Sequence, residues 1–147
     1  LKLSKSSQYL LVFGKDEGRF LAQVNLNNSQ VELISEFDGI NAHVDHLGQV
    51  WQLGNEQMSR FDALNDTWLA VIAEPDLSWS LTAHDGIWIQ QQSVDGVQLI
   101  KLDLSGQVVQ RYSSSEKELG VLHGITKGKA YFSGPMQHQS DVIRFTH

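Results

Sequence analysis

The run Gly86–Tyr112, GIWIQQQSVDGVQLIKLDLSGQVVQRY, constrains this chain more than any other stretch. It predicts three consecutive antiparallel strands: Gly86–Gln91, Val97–Asp103 and Val108–Tyr112. Asp95-Gly96 and Ser105-Gly106 make the turns between them. Short Gly-containing turns between β-rich runs bring neighbouring strands together as hairpins.

The rest of the chain reads as diverged copies of this unit. Lys101-Leu102-Asp103-Leu104-Ser105-Gly106 is echoed by Gln23-Val24-Asn25-Leu26-Asn27-Asn28, by Arg60-Phe61-Asp62-Ala63-Leu64-Asn65 and by the final Arg144-Phe145-Thr146-His147. The aligned apolar residues Val24, Phe61, Leu102 and Phe145 lie about 37, 41 and 43 residues apart, a period typical of repeat architectures. A preceding strand recurs as Tyr9–Phe13, Val50–Leu53, Ile87–Ile89 and Ala130–Phe132. Gly48, Gly86 and Gly128 stand before the last three of these. A following strand recurs as Val31–Ile34, Trp68–Ile72 and Val108–Tyr112. A first strand precedes each Gly turn at Ile40–Val44, Trp79–Ala83 and Val121–Thr126.

The unit is therefore a four-stranded meander of roughly 40 residues. The chain is an all-β domain spanning 1–147, with units at about 1–35, 36–73, 74–115 and 116–147. Several strands are apolar at both alternating positions, as in Ile87-Trp88-Ile89 and Leu99-Ile100, which requires burial on both faces. A radial array of small sheets does this for every copy, so the expected architecture is a β-propeller or part of one.

One segment competes with that reading. In Glu56–Glu74 the spacing of Met58, Phe61, Leu64, Trp68, Val71 and Ile72 also suits an amphipathic helix, with Pro75 as its stop. The repeat phase at Phe61-Asp62 and the turn at Asn65-Asp66 favour two strands. The ends are incomplete as repeats. Unit four stops after its third strand, and Leu1–Ser7 serves either as the first strand of unit one or as the outer strand of unit four. Missing blades of a longer protein, or a homodimer, would complete the ring and cover its edges.

Composition narrows the partners. The chain has 147 residues, 41% of them apolar, with a formal net charge of −6. That charge disfavours nucleic acid, whose affinity comes from neutralising phosphates with Lys and Arg, and it disfavours anionic lipid. No apolar run approaches the length of a membrane helix. The absence of Cys removes disulfides, thiolate nucleophiles and thiolate metal sites, and fits an extracytoplasmic, periplasmic location in a bacterium. The chain starts at Leu1 without Met or a signal peptide, as expected for a piece of a longer protein.

Asp85-Gly86-Ile87-Trp88-Ile89 followed by Leu102-Asp103-Leu104-Ser105-Gly106 resembles blades of the two-component-regulator propeller family. Leu122-His123-Gly124-Ile125 before Gly128-Lys129-Ala130-Tyr131-Phe132 is similar to the blade pattern of streptogramin lyases. The resemblance covers nearly the whole chain as architecture, through turn and core residues shared by many propellers. It implies blades running from an innermost strand at a central channel to an outermost strand at the rim, with ligands at the channel mouth. It implies no specific catalytic set.

Three loops leading into first strands share an acid, any residue, acid pattern: Glu36-Phe37-Asp38, Glu74-Pro75-Asp76 and Glu116-Lys117-Glu118. In a radial array they share one face, where six carboxylates would attract a divalent cation, a cationic ligand or a basic partner. The alternative is that these acids are solvated and too far apart to share an ion. His43 and His123 fall on first strands, where they either line the channel as ligand or general base or are hydrogen-bonded within the sheet. His46 and His84 lie near the following turns, and His43-Val44-Asp45-His46 lacks a third metal ligand nearby. Trp79 is the aromatic candidate for a ligand platform, against core packing. Trp51, Trp68 and Trp88 occupy repeat core positions. Ser113-Ser114-Ser115 reads as a flexible connection, and Gly134–His138 as an exposed polar loop.

These observations lead to a module that binds a protein or a small ligand, as the sensor or scaffold part of a larger bacterial protein. The alternative is a lyase-like enzyme with a metal at the acidic mouth and His43 or His123 as base. A third reading is an assembly domain closed only by another chain.

Overall fold

A computed structural model describes residues 7–13 as backbone, and residues 18–36, 39, 41–54, 56–114, 119–126 and 129–133 with their side chains. Thirteen strands and no helix occur among the described residues. They form four antiparallel sheets in chain order. Sheet 1 is β1 (Ser7–Phe13), β2 (Arg19–Asn25) and β3 (Gln30–Glu36). Sheet 2 is β4 (Asn41–Val44), β5 (Val50–Leu53), β6 (Gln57–Asp62) and β7 (Thr67–Ala73). Sheet 3 is β8 (Leu77–Ala83), β9 (Gly86–Ser93), β10 (Gly96–Leu102) and β11 (Val108–Ser114). Sheet 4 is β12 (Leu122–Thr126) and β13 (Lys129–Phe132).

Each sheet is a meander in which every strand pairs with its predecessor. The segment with a competing helical pattern forms β6 and β7, paired from Gln57↔Ala73 to Asp62↔Thr67. Ser113 and Ser114 are not a flexible connection: they pair with Gln98 and Val97 at the end of β11. The expected strand at Arg144–His147, the loop Gly134–His138 and the segment 1–6 lie outside the described residues.

The repeat is visible in its turns. Asn25 Oδ1 accepts from the Asn27 N–H at 3.0 Å, Asp62 Oδ1 from Leu64 at 3.0 Å, and Asp103 Oδ1 from Ser105 at 2.9 Å. A short polar side chain bonding the backbone two residues on fixes a turn locally. Later in each of these turns one residue takes positive φ: Ser29 at 57°, Asp66 at 52° and Gly106 at 91°. Glycine is demanded only at 106, where a Cβ would also lie 2.9 Å from Val71 Cγ1 on the neighbouring sheet.

Side-chain alternation sends each central sheet's residues both ways. From sheet 2, Trp51, Leu53, Met58 and Ile72 pack with Leu77, Ile87, Ile89, Ile100 and Leu102 of sheet 3. From the other face of sheet 2, Val50 and Phe61 meet Leu21 of sheet 1. From the other face of sheet 3, Trp88 and Leu99 meet Leu122 and Ala130 of sheet 4. Sheets 1 to 4 are therefore stacked in sequence. The first strands adjoin along the stack, β4 against β8 and β8 against β12. The last strands β3, β7 and β11 are largely exposed.

Candidate functional site

The first strands bring together a polar cluster between sheets 2 and 3. Asn41 and His43 project from β4, and Ser80, fully buried, comes from β8. Asn41 Nδ2 donates to the Ser80 carbonyl at 2.8 Å. The Ser80 hydroxyl donates to Asn41 Oδ1 at 3.1 Å and stands 2.8 Å from His43 Nε2. A hydroxyl has one proton, so with that proton on Asn41 the Ser80 oxygen accepts from His43 Nε2–H. Burial pushes the imidazole of His43 below the usual histidine range, opposed by a hydrogen bond with the Ser80 backbone. The result is a neutral histidine clamped across two sheets. A serine nucleophile needs a base positioned to take its proton and access to the substrate, and the Ser80 hydroxyl is fully buried.

The acidic loops differ among themselves. Glu74, just after β7, is bound by both terminal nitrogens of Arg111 on β11, with Nη1 3.0 Å from Oε2. The guanidinium holds the Glu74 carboxyl below the usual range, and Glu74 in turn raises Arg111. This pair joins β11, the outer strand of sheet 3, to the loop that leads from β7 into β8. Asp76 is an exposed turn residue at φ 60°, and its carbonyl accepts from the Gln92 N–H at 3.0 Å. Glu36 is exposed at the end of β3. Asp38, Glu116 and Glu118 lie outside the described residues. Among the described residues no three His, Asp or Glu side chains converge to a metal-sized group.

Trp79 is half-buried against Trp88, Leu99, Leu122 and Ala130, in the packing between sheets 3 and 4. His123 is exposed on β12. Neither is brought to the His43 cluster by any described hydrogen bond.

The opposite end, where β4 turns into β5 and β8 into β9, carries features that repeat phase alone does not display. Asp45 is buried, and its carboxylate accepts four hydrogen bonds. Oδ1 takes the Leu47 and Gln49 N–H groups, both at 2.9 Å. Oδ2 takes Trp51 Nε1 at 2.9 Å and Gln49 Nε2 at 3.2 Å. Gln49 Nε2 also reaches the Leu104 carbonyl on sheet 3 at 3.2 Å. Arg60 lies over the Trp51 ring and donates to Gln49 Oε1 at 3.2 Å. Asp45-x-x-Gly48-x-x-Trp51 is the sequence signal for this bridge.

Beside that turn, Leu47, Arg60, Phe61, Leu64 and Leu69 line a cavity of about 580 Å³, and Asp62 stands at its wall. Leu47, Leu64 and Leu69 are exposed there. Asp62 is occupied with its own turn, where Asn65 Nδ2 donates to Oδ2 at 2.7 Å. Asn65 and the Leu64 N–H hold its carboxyl below the usual range. His46 and His84, on the two adjacent turns, lie in a tilted contact with ring centroids 4.6 Å apart.

Comparison with family models, with curated proteins and with solved structures finds no match for this chain.

Proposed function

We propose that the chain is a recognition module built as a β-propeller or part of one, in which the cavity beside the Asp45 turn takes an amphipathic ligand or peptide segment. The sequential stack of meanders, with adjoining first strands and exposed last strands, supports the radial reading. The resemblance to two-component-regulator blades points the same way.

The cavity carries the functional part of the reading. Its volume, about 580 Å³, lies in the range of small-molecule sites. Its wall combines exposed leucines with the Arg60 guanidinium. An apolar body with one carboxylate suits that lining: Arg60 Nη1 already donates to Gln49 Oε1 and to the Ser105 carbonyl, and its other guanidinium N–H groups are the donors for such a ligand.

The test is an NMR titration with amphipathic carboxylates and short acidic-apolar peptides. The expected result is shift changes centred on Leu47, Arg60, Leu64 and Leu69, abolished by Leu69→Arg. Changes centred elsewhere, or binding indifferent to Leu69→Arg, would defeat the assignment. Turnover of a ligand would move the reading to the enzyme alternative.

A further inference from the structure

We propose that His46 and His84 form a two-imidazole site for a divalent transition-metal ion such as Ni²⁺, bridging sheets 2 and 3 at their turn end. His46 follows Asp45 in the β4–β5 turn, and His84 begins the β8–β9 turn. Thirty-eight positions separate them in sequence numbering (84 − 46), yet their rings lie 4.6 Å apart, centroid to centroid, with planes inclined at 33°. Both residues are exposed, so a hydrated ion reaches them without opening the core.

The separation suits a shared ion. With metal–nitrogen bonds of about 2.0–2.1 Å, two cis imidazoles place their ring centroids about 4.5 Å apart at a right angle and about 5.2 Å apart at the tetrahedral angle. The observed 4.6 Å lies within the span that two imidazoles on one ion can take. Imidazole is a suitable ligand for Ni²⁺ and Cu²⁺.

Each histidine is next in sequence to a carboxylate, Asp45 before His46 and Asp85 after His84. Asp45 is saturated by its own turn and Asp85 is paired with Lys101, so neither is a third ligand. Water fills the remaining positions, which leaves the ion open to a further ligand. Of the other described histidines, His43 is tied to Ser80 and His123 is exposed on β12, a strand of sheet 4.

The experiment is Ni²⁺ titration of the whole chain, followed by calorimetry and by paramagnetic broadening of histidine ring signals. Expected are one site per chain, first broadening at His46 and His84, and an affinity loss of about 10-fold or more in each of His46→Ala and His84→Ala. His123→Ala should bind as the wild type does. No broadening at His46 and His84, or broadening that begins at other histidines, overturns the proposal on the unmodified chain. So does equal affinity in either alanine variant whose unfolding curve matches the wild type.

Discussion

Replacing Asp45 with Asn changes one atom of the chain and should cost more than almost any other isosteric change in it. The carboxylate accepts from two backbone N–H groups on Oδ1 and from Trp51 Nε1 and Gln49 Nε2 on Oδ2. An amide has one accepting oxygen. Whichever way it turns, an NH₂ group faces two donors, and Trp51 is fully buried, so its indole N–H has no water to turn to. A hydrogen bond to a charged group contributes about 1.5–3 kcal/mol. Two are lost, partly offset by relieving the buried charge, for a net cost of about 2–4 kcal/mol. That is a large share of the roughly 5–15 kcal/mol by which a domain is stable. At about 2–4 °C per kcal/mol for a chain of this size, Tm falls by roughly 5–15 °C. Urea unfolding followed by circular dichroism measures it, and Asp103→Asn supplies the control. Asp103 holds the matching backbone bonds, Ser105 and Gln107 N–H both at 2.9 Å, but its carboxylate faces solvent and its loss should be small. Crossing Asp45→Asn with Trp51→Phe should show coupling of about 1–2 kcal/mol. Unfolding of Asp45→Asn within about 0.5 kcal/mol of the wild type, or simple additivity of the two changes, would show that the Asp45 carboxylate does not hold Trp51 in this way.

Three further outcomes follow from contacts between sheets 2 and 3. Burial lowers the His43 pKa in the folded state, so below the unfolded value of about 6.5 the unfolded chain binds more protons and wild-type stability falls as pH drops. In His43→Gln that part of the fall is absent, and comparing urea midpoints between pH 7.5 and 5 shows whether the wild type loses more. Arg111 depresses the Glu74 pKa, so the pair contributes above the unfolded carboxylate value of about 4.3 and loses that contribution as pH falls through the folded value. With side-chain exposures of 41% for Arg111 and 26% for Glu74, Glu74→Gln should cost no more than about 1 kcal/mol at pH 7, and the gap to wild type should close in acid. Gly106→Ala meets both φ 91° and Val71 Cγ1 at 2.9 Å and should destabilise by roughly 1–3 kcal/mol. Adding Val71→Ala should recover part of the Gly106→Ala loss in a double-variant cycle, whereas full additivity would show that the contact is irrelevant.

The meander was legible because its signals are local. Each strand is bounded by a turn that the chain makes with its own neighbouring residues, as in Asp62 with Leu64 and Asp103 with Ser105. Even Glu56–Glu74, apolar at helical spacing, resolves into strands through such a turn. Double-sided burial was legible too: Ile87 and Ile89 face sheet 2 while Trp88 faces sheet 4. What joins one sheet to the next was not legible. His43 meets Ser80 across 37 positions, Glu74 meets Arg111 across 37, and Gln49 meets Leu104 across 55. No local rule pairs these residues, because their proximity depends on how two finished sheets are set against each other. The acid pattern of the entry loops could not distinguish a carboxylate held by an arginine, such as Glu74, from an exposed one, such as Asp76.

The same contrast bears on how the molecule holds together. The boundary between sheets 2 and 3 carries the apolar cluster around Trp51, Ile87 and Ile100, the His43–Ser80 clamp at the first strands, the Gln49–Leu104 bridge at the turns and the Glu74–Arg111 pair at the outer strand β11. Apolar packing supplies most of the attraction, but it is non-directional and tolerates sliding of one sheet over another. The polar contacts are directional, and they grip that boundary at three separated places, which fixes the angle and register of the two sheets. His46 and His84 meet across this same boundary. A fixed register is what a two-imidazole site requires, since a slip of one strand position, about 3.3 Å, would separate the rings beyond a shared ion. Loosening the boundary with Asp45→Asn should therefore weaken Ni²⁺ binding while leaving both imidazoles in the sequence. Undiminished affinity in that variant would show that the two turns are held together by something other than the Asp45 bridge.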